Sequence, residues 1–263
     1  MSTSALRARN GDVEIAYELV GDGPPLLLVQ GLGYGGRGWG PVLDLLAEDF
    51  LVAAFDNRGF GGSDVPPGPY STGELAEDAA AVLTAAGLER AHVVGASLGG
   101  MVAQELALAR PERVDRLVLA CTTPGGSESH PMPARTVALM SEALTLPPEV
   151  ALRRFVENAL GERSNDLVGP IVEYRTANPP DLAGWQAQAA AGAGFDALDR
   201  LGEISAATLV LHGTEDAVVD PRNGELLAQR IPGAHFELLS SCGHLLFWEE
   251  PERFARLVRE FLQ

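Results

Sequence analysis

From residue 13 to residue 20 the chain alternates apolar and polar side chains (Val13, Ile15, Tyr17, Leu19), which predicts a half-exposed antiparallel strand. The next runs differ in kind. Residues 26–29 (Leu-Leu-Leu-Val) and 51–55 (Leu-Val-Ala-Ala-Phe) are short and wholly apolar, as strands buried on both faces are. Further strands are predicted at the β-branched run ending in Val93-Val94, at 115–121, at 207–212 and at 235–239. Helical segments alternate with them: Pro41 to about Ala47, then roughly 72–86, 101–110, 221–230 and 251–262. Between 124 and 201 the rhythm breaks. Helix-like segments at 133–144, 148–160 and 182–191 stand there between Pro and Gly, without a buried-strand pattern.

Strands alternating with helices predict an α/β fold, a mostly parallel central sheet with helices on both faces. The strandless stretch then reads as a helical cap, 124–201, inserted into a core formed by 1–123 and 202–263. Its place is the carboxyl edge of the sheet, where ligand sites form in such folds.

Composition narrows the function classes. The formal charge is −17, which argues against nucleic acid or an anionic membrane surface as a partner. All 19 basic residues are arginines, so chemistry that needs a lysine is excluded: Schiff bases, lysine-held pyridoxal phosphate and the P-loop. Cys121 and Cys242 are the only cysteines and have no metal-ligand spacing, so no metal site is read here. Two thiols far apart, with no apolar leader pattern in residues 1–10, are expected of a cytoplasmic protein. No apolar run approaches membrane-spanning length.

The chemistry is organised around Val93-Val94-Gly95-Ala96-Ser97-Leu98-Gly99-Gly100. A strand, a Gly-x-Ser-x-Gly turn and an immediate helix are what a nucleophile elbow requires. Ser97 would take a strained backbone conformation, with Gly95 and Gly99 leaving the space a Cβ would fill. A serine hydroxyl needs a base, usually a histidine held by a carboxylate. Of the five histidines, His92 begins the elbow strand at the far end, His130 lies in the insertion, His212 ends a strand and His235 starts one. His244, in the loop after the last strand, is at the carboxyl edge and is the base expected here. The loop after 207–212 offers Glu215 and Asp216; Asp216 is preferred as the orienting acid, with Glu215 second. The loop after 115–121 reads Thr122-Thr-Pro-Gly and carries no carboxylate.

One motif competes. Gly31-Leu-Gly-Tyr-Gly-Gly36 is a literal Gly-x-Gly-x-x-Gly after a strand, with Asp56 at a suitable distance for dinucleotide binding. In that fingerprint the helix begins within the glycines, so that its N-terminus meets the pyrophosphate. Here Gly38 and Gly40 prolong the loop and the helix waits for Pro41. Asp56 also runs into Arg58-Gly-x-Gly-x-Ser63, a structured turn. No nucleotide cofactor is therefore expected.

Taken together, Gln30-Gly31-Leu32, the Asp56-to-Ser63 turn, Gly-Ala-Ser97-Leu-Gly, Gly-Thr-Glu-Asp216 and Cys-Gly-His244 resemble the α/β-hydrolase superfamily over nearly the full chain. The likeness is to small capped bacterial carboxylesterases and 3-oxoadipate enol-lactonase-like hydrolases. It implies a Ser97–Asp216–His244 triad, an oxyanion hole from the backbone N–H groups of Leu32 and Leu98, and no cofactor. The family usually has His-Gly where this chain has Gln30-Gly31, which bears on loop shape and selectivity. A serine in the elbow, where haloalkane dehalogenases and epoxide hydrolases carry aspartate, favours acyl transfer to water. A small-molecule carboxylic ester or lactone is the expected substrate, cleaved through an acyl-enzyme on Ser97. The alternatives are a C–C hydrolase acting on a vinylogous diketone, a thioesterase, or a ligand receptor that keeps the triad. Phe155, Leu160, Ile171, Tyr174, Trp185 and Phe195 in the cap form either an apolar lid over the site or the cap's own core.

Overall fold

Leu27 and Val29 pack on one side of the central sheet and Leu26 and Leu28 on the other, which is why residues 26–29 have no polar position. The computed structural model describes residues 6–263. The leader reading and the start of the core, so far as they rest on residues 1–5, lie outside the described residues. The strands are β1 Leu6–Asn10, β2 Val13–Val20, β3 Pro25–Val29, β4 Leu51–Phe55, β5 Ala91–Ala96, β6 Val114–Ala120, β7 Ala207–Gly213 and β8 His235–Leu239. They form one sheet in the order β1-β2-β4-β3-β5-β6-β7-β8. β1, β2 and β4 pair antiparallel, and every later pairing is parallel.

The helices are α1 Pro41–Ala47, α2 Thr72–Ala85, α3 Leu98–Ala109, α4 Ala134–Ala143, α5 Pro148–Ala159, α6 Val168–Ala177, α7 Leu182–Ala193, α8 Arg222–Arg230, α9 Leu246–Glu249 and α10 Pro251–Leu262. Leu75 and Leu83 of α2, Val102 and Leu106 of α3 and Leu227 of α8 cover one face of the sheet. Val42, Leu43 and Leu46 of α1 and Phe254, Val258 and Leu262 of α10 cover the other. α2 starts at a capping box in which Ser71 Oγ accepts from Glu74 N at 3.2 Å and Glu74 Oε2 accepts from Ser71 N at 2.9 Å. Among the described residues no helix is long and apolar enough to cross a membrane.

Several elements differ from the sequence reading, the short helix α9 among them. β1 makes a hairpin with β2 through Gly11, which has φ +60°. The two-residue loop is Gly11-Asp12, with the glycine supplying the positive φ that such tight hairpins need. A 3-10 turn, Gly36–Trp39, precedes α1 where an open loop is predicted. α6 is a further helix in the insertion, and its start at Val168-Gly-Pro170 hides it, because Gly and Pro read as a break.

The parallel register brings Gly95 level with Val29, Ala96 with Ala120, and Gly213 with Leu239. Loops after β3, β5, β6, β7 and β8 therefore leave from one edge. Between β6 and β7 the chain forms α4 to α7, and an isolated bridge between Gly125 and Asp196 pins the two ends of this stretch together. Val156, Leu160, Val168 and Ile171 of the stretch join the α1/α10 side, while Ala187, Ala191 and Phe195 join the other.

Candidate active site

Ser97 directly follows β5 with φ 55° and ψ −121°, a left-handed conformation that costs a non-glycine residue about 1–3 kcal/mol. The turn closes only because its flanking residues are small. A Cβ on Gly95 would run into the carbonyl of Gly99, and one on Gly99 into the carbonyl of Val29. α3 begins at Leu98, three residues earlier than the sequence pattern predicts, so Ser97 is its cap residue. The Leu98 N–H, first in the helix, has no carbonyl one turn back to bond. The Ser97 carbonyl accepts from Gly100 N at 2.9 Å and from Thr122 Oγ1 at 2.7 Å.

The loop after β3 lies against this serine: an ideal Cβ on Gly31 would stand 3.1 Å from Ser97 Cβ and 3.6 Å from its Oγ. Gln30 supports that loop in the position of the family's histidine. Its buried Oε1 accepts from Gly31 N at 2.7 Å, and its carbonyl accepts from Asn57 Nδ2 at 2.9 Å. Gly33 N donates to Gln188 Oε1 at 3.2 Å, and Gln188 Nε2 donates to the Arg58 carbonyl at 2.7 Å. Gln188 belongs to α7 and is fully buried, so a polar side chain of the insertion fixes the loop that carries Leu32. Asp56 also serves as a brace, with its two oxygens accepting from Gly36 N and Gly62 N at 2.9 Å.

Asp216 and His244 meet across 28 residues of sequence. Asp216 Oδ2 stands 2.8 Å from His244 Nδ1, and both side chains are buried. An ionised carboxylate only accepts, so His244 Nδ1 carries the proton and Nε2 is left to accept one. Asp216 Oδ1 accepts from Val218 N at 2.8 Å and Val219 N at 2.9 Å. Burial works against the ionised carboxyl. The His244 charge, the His212 and His244 hydrogen bonds and the His212 charge outweigh it and hold Asp216 well below the usual carboxylate range. Glu215 turns away, its Oε2 accepting from Glu162 N at 2.8 Å.

β8 lies three strands from β5, so the loop carrying His244 must travel back along the edge. It passes over β7, where a Cβ on Gly213 would collide with the carbonyls of Cys242 and Gly243. It then reaches the end of β6, where the Cys121 thiol donates to the Gly243 carbonyl at 3.9 Å. His244 N donates to the Ala159 carbonyl at the end of α5, at 2.7 Å.

The remaining histidines fall elsewhere. His92 is at the amino end of β5 beside Asp115, the backbone of His130 donates to and accepts from the Asn223 side-chain amide, and His235 opens β8. His212 is the exception, for its Nε2 lies 3.1 Å from Asp216 Oδ2. Its only sequence signal was a strand end just before the acid loop. Glu249 follows His244 by five residues and carries no signal of its own in the sequence pattern. Among the described residues, Cys121, His212 and Asp216 are the one group whose ligand-type atoms converge, within 4.8 Å. Burial pushes the Cys121 thiol well above its ordinary range, and Asp216 is already engaged by Val218 N, Val219 N, His244 and His212.

Of the aromatic and apolar residues in the insertion, Leu160, Ile171 and Phe195 are buried with the sheet, and Phe155 is exposed. Tyr174 stacks on Tyr34, with ring centroids 6.1 Å apart, and Trp185 approaches the backbone at Gly33.

Residues 24–251 match the family model described as alpha/beta hydrolase fold. A 2-hydroxy-6-oxo-6-phenylhexa-2,4-dienoate hydrolase of Comamonas testosteroni is 33% identical over 96% of this chain and 92% of its own length. A pimeloyl-[acyl-carrier protein] methyl ester esterase of Aeromonas hydrophila is 30% identical over 95% of this chain and 100% of its own. The crystal structure of an enol-lactonase from Burkholderia xenovorans superposes with a TM-score of 0.84 at 27% identity, covering 98% of this chain and 99% of that one.

Proposed function

The chain belongs to the alpha/beta hydrolase fold family, and on that premise we propose that it is a serine hydrolase cleaving a small carboxylic ester or lactone. The reading is carried by the buried Asp216–His244 pair, 2.8 Å apart, on the sheet edge that also presents Ser97 at φ 55°. His244 Nε2 takes the Ser97 Oγ proton as the oxygen attacks the substrate carbonyl. The tetrahedral oxyanion is received by the N–H groups of Leu98 and Leu32, each donor worth roughly 3–4 kcal/mol. Collapse breaks the bond to the leaving oxygen, which takes the proton from His244. The product is an acyl-enzyme and a free alcohol, or in a lactone a tethered one. Water, deprotonated by the same histidine, then releases the acid.

Residues 124–201 act as a cap on this edge. In support, the Gly125–Asp196 bridge closes the stretch at its base, and Gln188, Trp185 and Tyr174 reach the loop after β3. The cytoplasm suits the two buried thiols, Cys121 and Cys242.

Short p-nitrophenyl esters and simple lactones are the test. Turnover abolished in Ser97→Ala supports the reading, and turnover that persists in that variant overturns it. The dienoate hydrolase of Comamonas testosteroni keeps C–C hydrolysis of a vinylogous diketone as the second reading. It is favoured if such a diketone is cleaved and the esters are not. Faster turnover of thioesters than of oxygen esters would instead mark a thioesterase. Slow, single-turnover labelling of His244 would mark a receptor.

A further inference from the structure

Outside Ser97, Asp216 and His244, one carboxylate joins the base's loop to the insertion. Glu249 closes the short helix α9, and both of its oxygens are engaged. Oε1 accepts from Gly243 N at 2.8 Å; Oε2 accepts from Gly161 N and from Ser164 Oγ, each at 2.8 Å. Among the described residues it pairs with no arginine or histidine. A partly buried anion is held here by three neutral donors alone.

The segment it holds is strained and crowded. Ser241, three residues before the base, has φ 62°, a conformation a non-glycine residue keeps only where its surroundings over-determine it. Gly243 has no room for a Cβ, which would press on Ala159, Leu160 and Gly161. The peptide before His244 is thus sandwiched between the end of β6 and the turn that follows α5. Asp216 fixes the ring at Nδ1, but the position of Nε2 also depends on where the backbone starts. The Gly243 N–H is one residue from that start.

We propose that Glu249 is a positioning residue for His244, clamping Gly243 with one oxygen and the Gly161–Ser164 turn with the other. This rests on His244 being the general base, as proposed above. The clamp needs two acceptor oxygens. Glutamine supplies one and offers an N–H₂ where the second stood, so one arm must open in Glu249→Gln. A misplacement of about 1 Å near a reacting group can cost up to about 100-fold in rate.

Three proteins decide the matter: wild type, Glu249→Gln, and Glu250→Gln, which removes the adjacent exposed charge without touching the loop. With a p-nitrophenyl ester, Glu249→Gln is expected to lower kcat about 10–100-fold while KM moves less than about threefold. Its Tm should fall by only a few degrees, the cost of one unmet buried N–H, and the low-field proton resonance of His244 Nδ1–H should shift or broaden. Glu250→Gln should match wild type in all of these. Wild-type kcat in Glu249→Gln overturns the proposal, and so does a lower kcat with an unmoved Nδ1–H resonance. If Glu249→Gln fails to fold, Glu249→Asp, too short to span both arms, is read the same way. The resonance does not depend on turnover. It therefore reports on the clamp even if Ser97→Ala has overturned the hydrolase reading.

Discussion

His212 Nε2 lies 3.1 Å from the same Asp216 oxygen that faces His244 Nδ1. It is also 3.1 Å from the Val219 carbonyl. Both neighbours are acceptors, so Nε2 carries the proton and His212 is a donor to the acid loop. Its Nδ1 is buried without a partner, consistent with that tautomer. Two imidazoles on one carboxylate oxygen make Asp216 a shared anchor for the ends of β7 and β8.

Replacing that donor should loosen the acid while sparing the fold. His212→Leu is expected to destabilise the protein by about 1–3 kcal/mol, the cost of leaving buried acceptors unmet. Urea unfolding measures this, and unchanged stability would show that Asp216 does not depend on His212.

Asp216→Asn keeps the shape of the side chain but can present an N–H₂ to His244, which favours the wrong tautomer. A drop in kcat of about 10⁴-fold is expected, with KM little changed. Glu215→Gln, whose parent carboxylate accepts, among the described residues, from Glu162 N in the turn after α5, should stay near wild type. Steady-state kinetics on one ester compares the two, and the reverse ranking would reassign the acid.

The acid also leaves a mark on stability. Its folded pKa lies below the unfolded one, so between the two the unfolded chain binds more protons. The contribution of Asp216 is therefore present above about pH 4 and is lost as the pH falls through the range below it. Wild type should lose stability faster than Asp216→Asn over that acid range. Parallel curves of unfolding free energy against pH would contradict the ion pairing.

Gln188 offers a test of the loop after β3. Gln188→Leu removes the acceptor for Gly33 N and the donor to the Arg58 carbonyl. With the Leu32 N–H displaced but still present, kcat should fall about tenfold, less than the 10²–10³ of a lost oxyanion donor. Equal kcat in the two proteins would place Gln188 in packing alone.

Local pattern along the chain suffices to assign which residues lie at the carboxyl edge of the sheet. Apolar runs of four to six residues bounded by turn residues suit strands covered on both faces, and their alternation with helices sets a mostly parallel order. That order puts Ser97, Asp216 and His244 in loops after three different strands. Glycines at 95 and 99 announced the tight turn because no side chain fits there. Which partners those residues take depends on how the loops fold back over the sheet edge. His244 reaches its place because the loop after β8 folds back across β7 to the end of β6, a path set by carbonyl contacts at Gly213 and Cys121. His212, Gln188 and Glu249 act through hydrogen bonds to backbone groups or to a carboxylate brought near by folding. Such bonds depend on direction and distance between loops, which no local pattern of side chains encodes.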